Sequence, residues 1–386
     1  MAGDFRIRQE GFRAGSGGGI RNGVKILHVI DGLPLGGTEN QFLALLPDVA
    51  RDHEVVLVTL RDSDRGDLGE LPVTKRYRLG FGGYRSLAQA VRRLRKIIRT
   101  EGPDLVRAQL YWSGIVARLA TPRSIPLIFS IHSTMSADGY SNSRASLWLE
   151  KLTYRPRHRL ISVSEHALRD FDRHVGLKGP AEVMTNFLSP EFVGHERPAR
   201  PFGPSYRLVA VGNLKPMKNY AYLLEALRQI PEGIQLDIYG EGSERATLMR
   251  QIEASGVAAR LMGARDALWN VLPEYDLFVM PSLYEGCPNA AIEAMAAGLP
   301  LLLSDIPVMR EVSCGNALFF DPGDPRSFAD LMRRIQAGEV NLRAMVVRGL
   351  EIVRSHYLKA DYLRRLMSIY ADAVASGGKA ADGARR

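Results

Sequence analysis

Apolar runs of strand length alternate with segments of helical periodicity twice along this 386-residue chain, and a pair of parallel α/β sheets is the simplest fold that accommodates both series. The first series has strand-like runs at 24–30, 54–60, 104–108, 125–131 and 160–163, with helices at about 39–50, 85–99 and 164–174. The second has runs at 207–211, 235–239, 277–280 and 301–304, with helices near 220–229, 243–254, 288–297 and 325–337. Most of these runs are apolar on both faces, the mark of strands covered by helices on either side. Between the series lie Pro190, Pro198, Pro201 and Pro204, whose fixed φ and missing N–H suit a linker. The organisation predicted is an N-terminal domain at 23–188, a linker at 189–205, a second domain at 206–356 and a last helix at 357–376 that packs back on the first domain. A cleft between two such sheets is the expected ligand site.

The ends of the chain read differently. Residues 1–22 mix Asp4, Arg6, Arg8, Glu10 and Arg13 with a Gly-Ser-Gly-Gly-Gly run and have no apolar segment, so a disordered tail is expected rather than a signal peptide. Residues 377–386 read as a second small-residue, charged tail. No stretch of about 18 apolar residues occurs, so no membrane span is expected. Two cysteines, Cys287 and Cys314, are too few for a disulfide framework or a zinc site and point to a reducing, cytoplasmic setting.

The net charge of +9 falls wholly within residues 1–200. Much of it lies in the helix at 85–99, where Leu87, Val91, Leu94 and Ile98 form one stripe and Arg92, Arg93, Arg95, Lys96 and Arg99 fill the rest. Such a face is either solvated or docks on anionic lipid headgroups or a pyrophosphate-linked acceptor, each basic residue near a membrane adding about 1 kcal/mol. Nucleic acid is not expected as a partner, because the stretch lacks interleaved aromatics and no groove-reading motif is present.

Two motifs carry chemistry. The first runs from Pro281 to Pro300, where an apolar strand is followed by a loop bearing Glu285, Gly286 and Cys287, then by a helix. Pro288 suits the first helical position, and Gly298 followed by Pro300 suits its end. The unpaired amides around Pro288 and Asn289 can hold an anion, while Glu293 lies one to two turns further along. Cys287 has no histidine near it in sequence and reads as a small loop residue. The second motif joins the strand at 207–211 to a helix through Gly212, Asn213, Lys215, Lys218 and Asn219. A lysine at the mouth of a parallel sheet can neutralise a diphosphate and stabilise it as it leaves.

The string Pro-Ser-x-x-Glu-Gly followed by Glu-Ala-Met-Ala-x-Gly-x-Pro resembles the signature of the retaining nucleotide-sugar glycosyltransferases of family 4. The resemblance extends over residues 24–370 and implies the GT-B architecture, two Rossmann-like parallel-sheet domains facing across a cleft. It implies that Glu285 holds the donor sugar's hydroxyls, Glu293 the ribose hydroxyls and Lys218 the diphosphate. The family's usual Gly-Arg-Leu-x-x-x-Lys-Gly keeps its lysine here as Lys218, while Asn213 stands for the arginine and Asn219 for the final glycine. Lys215 is the candidate for the missing charge. Gly36 and Gly37 resemble the family's first glycine loop, Gly240 and Gly242 its later glycine turn, and Asn186 lies in the segment that closes the first domain. Gln109 stands where a sugar-contacting histidine is common, and His132 matches a second recurring histidine, as a sugar or acceptor contact.

What the resemblance implies is transfer of a sugar from a UDP- or GDP-sugar to a hydroxyl of a glycan acceptor, lipid-linked, in cell-surface polysaccharide biosynthesis. The setting would be the cytoplasmic face of a membrane, with the protein attached peripherally. No cofactor or metal is expected, and Asp62-Ser63-Asp64 reads as a mixed-charge turn rather than a metal-holding Asp-x-Asp. A non-catalytic nucleotide-sugar binder and a glycoside hydrolase are the rival readings. The hydrolase would use two carboxylates without needing Lys218 or a second domain.

Overall fold

The two series resolve into two parallel sheets in the computed structural model, which describes residues 23–34, 36–63, 68–137, 143–197, 202–203, 205–230 and 233–383. The tail expected at 1–22, the loop residue Leu35, Asp64, Pro198, Pro201, Pro204 and residues 384–386 lie outside the described residues.

The first domain runs β1 (Lys25–Ile30), α1 (Gly37–Asp52), β2 (Glu54–Thr59), β3 (Lys75–Arg78), α2 (Leu87–Glu101), β4 (Leu105–Gln109), α3 (Tyr111–Ala120), β5 (Leu127–Ile131), α4 (Arg144–Thr153), β6 (His158–Ser162), α5 (Glu165–Val175) and β7 (Ala181–Val183). Its strand order is β3-β2-β1-β4-β5-β6-β7, parallel throughout. Leu94 of α2, Val116 of α3 and Phe171 of α5 pack with Val106 and Phe129 on one face. Phe42 and Leu46 of α1 pack with Ile26 and Ile128 on the other.

The second domain runs β8 (Tyr206–Val211), α6 (Tyr220–Leu227), β9 (Ile234–Tyr239), α7 (Arg245–Ser255), β10 (Ala259–Gly263), β11 (Leu277–Met280), α8 (Asn289–Ala296), β12 (Leu301–Ser304), α9 (Pro307–Val312), β13 (Leu318–Phe320), α10 (Pro325–Gln336) and α11 (Leu342–His356). Its order is β10-β9-β8-β11-β12-β13, again parallel. Strand order therefore reverses between β1 and β4 in one sheet and between β8 and β11 in the other. Crevices open at the carboxyl ends of strands at such reversals, and loops from both motifs sit there.

The last helix, α12 (Lys359–Gly383), returns to the first domain, where Leu366, Ile369, Tyr370 and Ala373 join its core. Burying side chains of the size of Leu366, Ile369 and Tyr370 stabilises the docking by about 1.5–3 kcal/mol each. Lys359 pairs with Asp48 of α1 at 2.5 Å. Glu311 of α9 accepts the backbone N–H groups of Glu165 (2.7 Å) and His166 (3.1 Å) at the start of α5, a second tie between the domains.

Several boundaries differ from the sequence reading, each for a physical reason. The strands missed, β3, β7, β10 and β13, are the four sheet edges. They are short and only partly covered: β3, β7 and β10 are interrupted by charged residues, and β13, though apolar, spans only Leu318–Phe320. Helices α3, α4, α9 and α11 were also missed; in α3 eight of ten residues are buried, leaving no polar face to mark its period. The helix near 288 starts at Asn289, with Pro288 extended (φ −77°, ψ 93°) in the capping position. Helix α12 passes the expected limit at 376, so the tail placed at 377–386 begins as helix.

Candidate active site

The second-domain wall is built by the loops after β8 and β11. After β8 the chain turns through Pro216–Lys218, and Asn219 adopts φ +56°, the left-handed region. A glycine costs least there and asparagine is the commonest substitute, which accounts for the departure at this position. Asn219 also donates Nδ2–H to the carbonyl of Pro322 at 3.2 Å. The turn aims Lys218 back across the sheet, where Nζ meets Oε1 of Glu285 at 2.5 Å.

Glu285 is buried, and Ser282 Oγ donates to the same Oε1 at 2.7 Å. Ser304 at the end of β12 in turn donates to the Ser282 carbonyl at 2.6 Å. Two donors and a third residue behind them hold one carboxylate oxygen in place. Thr134 of the first domain donates to the Glu285 carbonyl at 3.0 Å. Gly286 explains itself by contact: a Cβ there would lie 2.0 Å from the His132 carbonyl, so only glycine lets the two loops touch.

Asn289 opens α8 and reaches the first domain, its Nδ2 donating to the Gly37 carbonyl at 3.3 Å while its Oδ1 accepts from Asn186 at 2.6 Å. Gly37, Asn186 and Asn289 thus meet at the α8 amides. Glu293, one turn in, is half-buried, and burial pushes its carboxyl up to about 7. Burial likewise pushes the Cys287 thiol up to about 12, so it is no thiolate nucleophile near neutrality. Gly240 and Gly242 face backbone: a Cβ on them would lie 2.0 Å from the Gly212 carbonyl and 2.4 Å from that of Leu214. They seat the lysine loop from behind.

The first-domain wall surrounds a cavity of about 390 Å³ at its own strand reversal. Asp31, Arg61, Tyr111, Trp112 and His132 line it, and Lys215 reaches in from the second domain. Asp31 follows β1, and its Oδ1 accepts both the N–H (2.8 Å) and the hydroxyl (2.5 Å) of Ser113 near the start of α3. Burial raises its carboxyl above the ordinary range despite those bonds. His132 has both ring nitrogens buried without a hydrogen-bond partner among the described residues. Burial first, and Arg107 second, lower it to about 3, so the ring is neutral and able to donate and accept. Gln109 is buried at the end of β4, just before Leu110, which takes φ +76° and lines the cavity.

The structure therefore brings Lys218, Glu285, Gly286, Asn289 and Gly37 to one seam. It places Lys215 and His132 at the facing cavity, with Asn213 exposed on the loop between. Sequence reasoning missed Asp31, Arg61 and Ser113. A carboxylate directly after the first apolar strand, followed by Gly32, was the available signal for Asp31. Asp62 pairs with Arg78 at 3.5 Å on the surface, and among the described residues no group of metal-ligating side chains occurs.

Family models match both domains. The model described as Glycosyltransferase Family 4 matches residues 35–192, and that described as Glycosyl transferases group 1 matches residues 205–337. The chain belongs to the family 4, group 1 glycosyltransferases. This glycosyltransferase is 27% identical over 300 residues to the Escherichia coli UDP-Gal:alpha-D-GlcNAc-diphosphoundecaprenol alpha-1,3-galactosyltransferase, covering 68% of this chain and 75% of that one. Its fold is shared with a sucrose-phosphate synthase from Thermosynechococcus elongatus (TM-score 0.77, 19% identity, 92% of this chain and 100% of that one). It is shared also with Anabaena HepE in complex with UDP-glucose (TM-score 0.75, 17% identity, 90% and 100%). The two-sheet GT-B architecture expected from sequence is thereby established. Among the described residues no helix is long and apolar enough to cross a membrane.

Proposed function

We propose that this glycosyltransferase moves a sugar from a nucleoside-diphosphate donor, a UDP- or GDP-sugar, to a hydroxyl of a lipid-linked glycan in cell-surface polysaccharide biosynthesis. The observation that carries this reading is the Lys218–Glu285 pair at the second-sheet reversal, whose loop touches the His132 loop that lines the first-domain cavity. The galactosyltransferase relative, which uses UDP-galactose and a diphosphoundecaprenol-linked acceptor, and the UDP-glucose complex support the donor and acceptor classes.

In this reading the donor lies along the seam. Its sugar hydroxyls donate to Glu285, whose Oε1 is already occupied by Lys218 and Ser282 and whose other oxygen is left for the ligand. Its ribose hydroxyls donate to Glu293. Its diphosphate meets Lys218 and the α8 amides, which carry the neutralising work that a divalent ion does elsewhere. The acceptor sits in the first-domain cavity against His132 and Asp31. Its hydroxyl oxygen bonds to the anomeric carbon on the face the nucleotide leaves, the carbon–phosphate-oxygen bond breaks, and the departing phosphate takes the hydroxyl proton. Configuration is retained, and the protein supplies orientation and leaving-group stabilisation. The setting is the cytoplasmic membrane face, where a lipid-linked acceptor is presented.

A thermal-shift panel of nucleotides followed by nucleotide sugars tests the donor class, since a ligand of the folded state raises stability with the logarithm of its concentration over its dissociation constant. One base should stabilise the protein and lose that effect in Lys218→Ala. Equal indifference to every uridine and guanosine diphosphate compound would sink the reading.

A further inference from the structure

Helix α4 buries Ser146, Glu150 and Thr153 toward the first domain, and Glu150 lines the cavity there. Its opposite face ought to be polar. It instead carries Trp148 and Leu152, one turn apart and 64% and 44% exposed. Beyond the helix end Leu177 is 40% exposed, and the adjacent Lys178 ties that loop to α4 by donating to the Lys151 carbonyl at 2.5 Å.

Exposed cations flank these apolar side chains along the chain, Lys151 beside Leu152, Arg155 and Arg157 just past the helix and Lys178 beside Leu177. Arg157 is held below the ordinary guanidinium range first by burial, then by Arg123 and Arg155. Lys178 is held down first by burial, then by Arg155, Arg118 and Lys151. The five surface members Arg123, Lys151, Arg155, Arg157 and Lys178 are thus close enough to repel one another. Among the described residues none of the five forms an ion pair. Like charges gathered without direct ion pairs beside an exposed Trp and Leu, with Asp172 accepting the Leu177 N–H at 2.9 Å as a nearby carboxylate, leave a net basic and apolar surface that one partner suits on both counts: an anionic layer with an apolar layer beneath it.

We propose that the surface centred on Trp148 and Leu152 of α4 docks on an anionic bilayer, the two apolar side chains entering the headgroup boundary and the five cations meeting lipid phosphates. The docking does not rest on the transfer reaction, although it brings the helix that lines the acceptor cavity to the surface where a lipid-linked acceptor resides. It also selects between two basic faces. Helix α2 exposes Arg92, Arg93, Arg95, Lys96 and Arg99, but its apolar stripe is turned inward, with Leu94 and Ile98 buried.

The test is co-flotation of the full chain with vesicles of phosphatidylglycerol and phosphatidylethanolamine, and with phosphatidylcholine alone. Wild type should float with the anionic vesicles at low salt and much less with the zwitterionic ones. The double variant Trp148→Ser/Leu152→Ser and the variant Lys151→Glu/Arg155→Glu should each lower the bound fraction by about tenfold or more, whereas Arg92→Glu/Lys96→Glu on α2 should lower it less. Trp148 is the most exposed of the three tryptophans, so vesicles should blue-shift the emission of wild type and not of Trp148→Ser. Transfer to a soluble, short-chain acceptor should be unchanged in the double variant, which verifies its fold. Undiminished flotation of that variant, or its loss only on the α2 substitutions, would overturn the proposal. A change in oligomeric state without a change in flotation would overturn it in favour of a protein partner. If transfer fails with every acceptor while flotation holds, the functional reading fails and the docking surface stands.

Discussion

The two walls of the cleft have the same architecture and opposite states of readiness. On the second-domain wall, Glu285 is fixed by Lys218, Ser282 and, behind it, Ser304 before any ligand arrives. On the first-domain wall, His132 has two ring nitrogens that nothing in the described protein satisfies. A buried polar atom left unpaired costs about 1–3 kcal/mol, so a ligand hydroxyl can supply bonds that the described protein does not give this ring. The difference separates the two substrates. In the proposed reading the donor wall is preorganised for charge that develops in the reaction, while the acceptor wall gains its bonds on binding.

Changes at four positions test that contrast. The largest effect belongs to the fixed wall: Lys218→Ala should lower kcat by about a hundredfold or more, since in the proposed reading it removes the cation that stabilises the departing diphosphate. A loss under threefold in steady-state turnover would remove Lys218 from that role. On the unsatisfied wall, His132→Phe should raise the KM for acceptor by about tenfold, the equivalent of one hydrogen bond, and leave donor affinity nearly intact. With the ring's proton lost at about 3, no histidine inflection should appear in the wild-type pH profile near neutrality. A loss of donor affinity instead would place His132 on the wrong substrate.

Glu293 gives a smaller effect whose sign depends on what is measured. Its carboxyl is raised from 4.5 to about 7, so the folded state disfavours its charge. Its contribution to stability is intact below 4.5 and is lost as pH rises through about 7. Ribose hydroxyls, in contrast, need the ionised form as acceptor, so donor affinity should rise through the same window. Glu293→Gln should therefore be more stable than wild type above pH 7 and bind donor more weakly there, with both differences shrinking toward pH 4.5. Calorimetry and donor titration across that range check the two signs separately. The smallest effect is at Asn219. At φ +56°, Asn219→Gly should be nearly neutral, whereas Asn219→Ala should cost about 1 kcal/mol and shift Lys218 off Glu285.

Central strands were legible in the sequence because burial on both faces demands unbroken apolar runs such as Leu277–Met280. Edges were not, since Lys75–Arg78 is half-wet and carries three cations in four residues. Lys218 and Glu285 could be found because each follows a central strand within a strong motif. Asp31 follows a strand too, but its meaning depends on Ser113, 82 positions away, and only the fold makes them neighbours. Gly240 and Gly242 were legible as glycines of consequence, while the backbone they accommodate could not be read from the turn itself. Trp148 shows the limit most plainly. A tryptophan in a short helix suggests core, and only the built domain shows which way it faces.

The central claim is that the fixed wall activates a nucleotide sugar for an acceptor held by the other wall. Release of free nucleotide from the stabilising nucleotide sugar, measured with and without a lipid-linked glycan acceptor, tests it most directly. The account predicts release only when acceptor is present, matched by a glycosylated product with the donor's anomeric configuration, and both abolished together in Lys218→Ala. Tight donor binding with no release for any acceptor, or release equally fast without one, would contradict it.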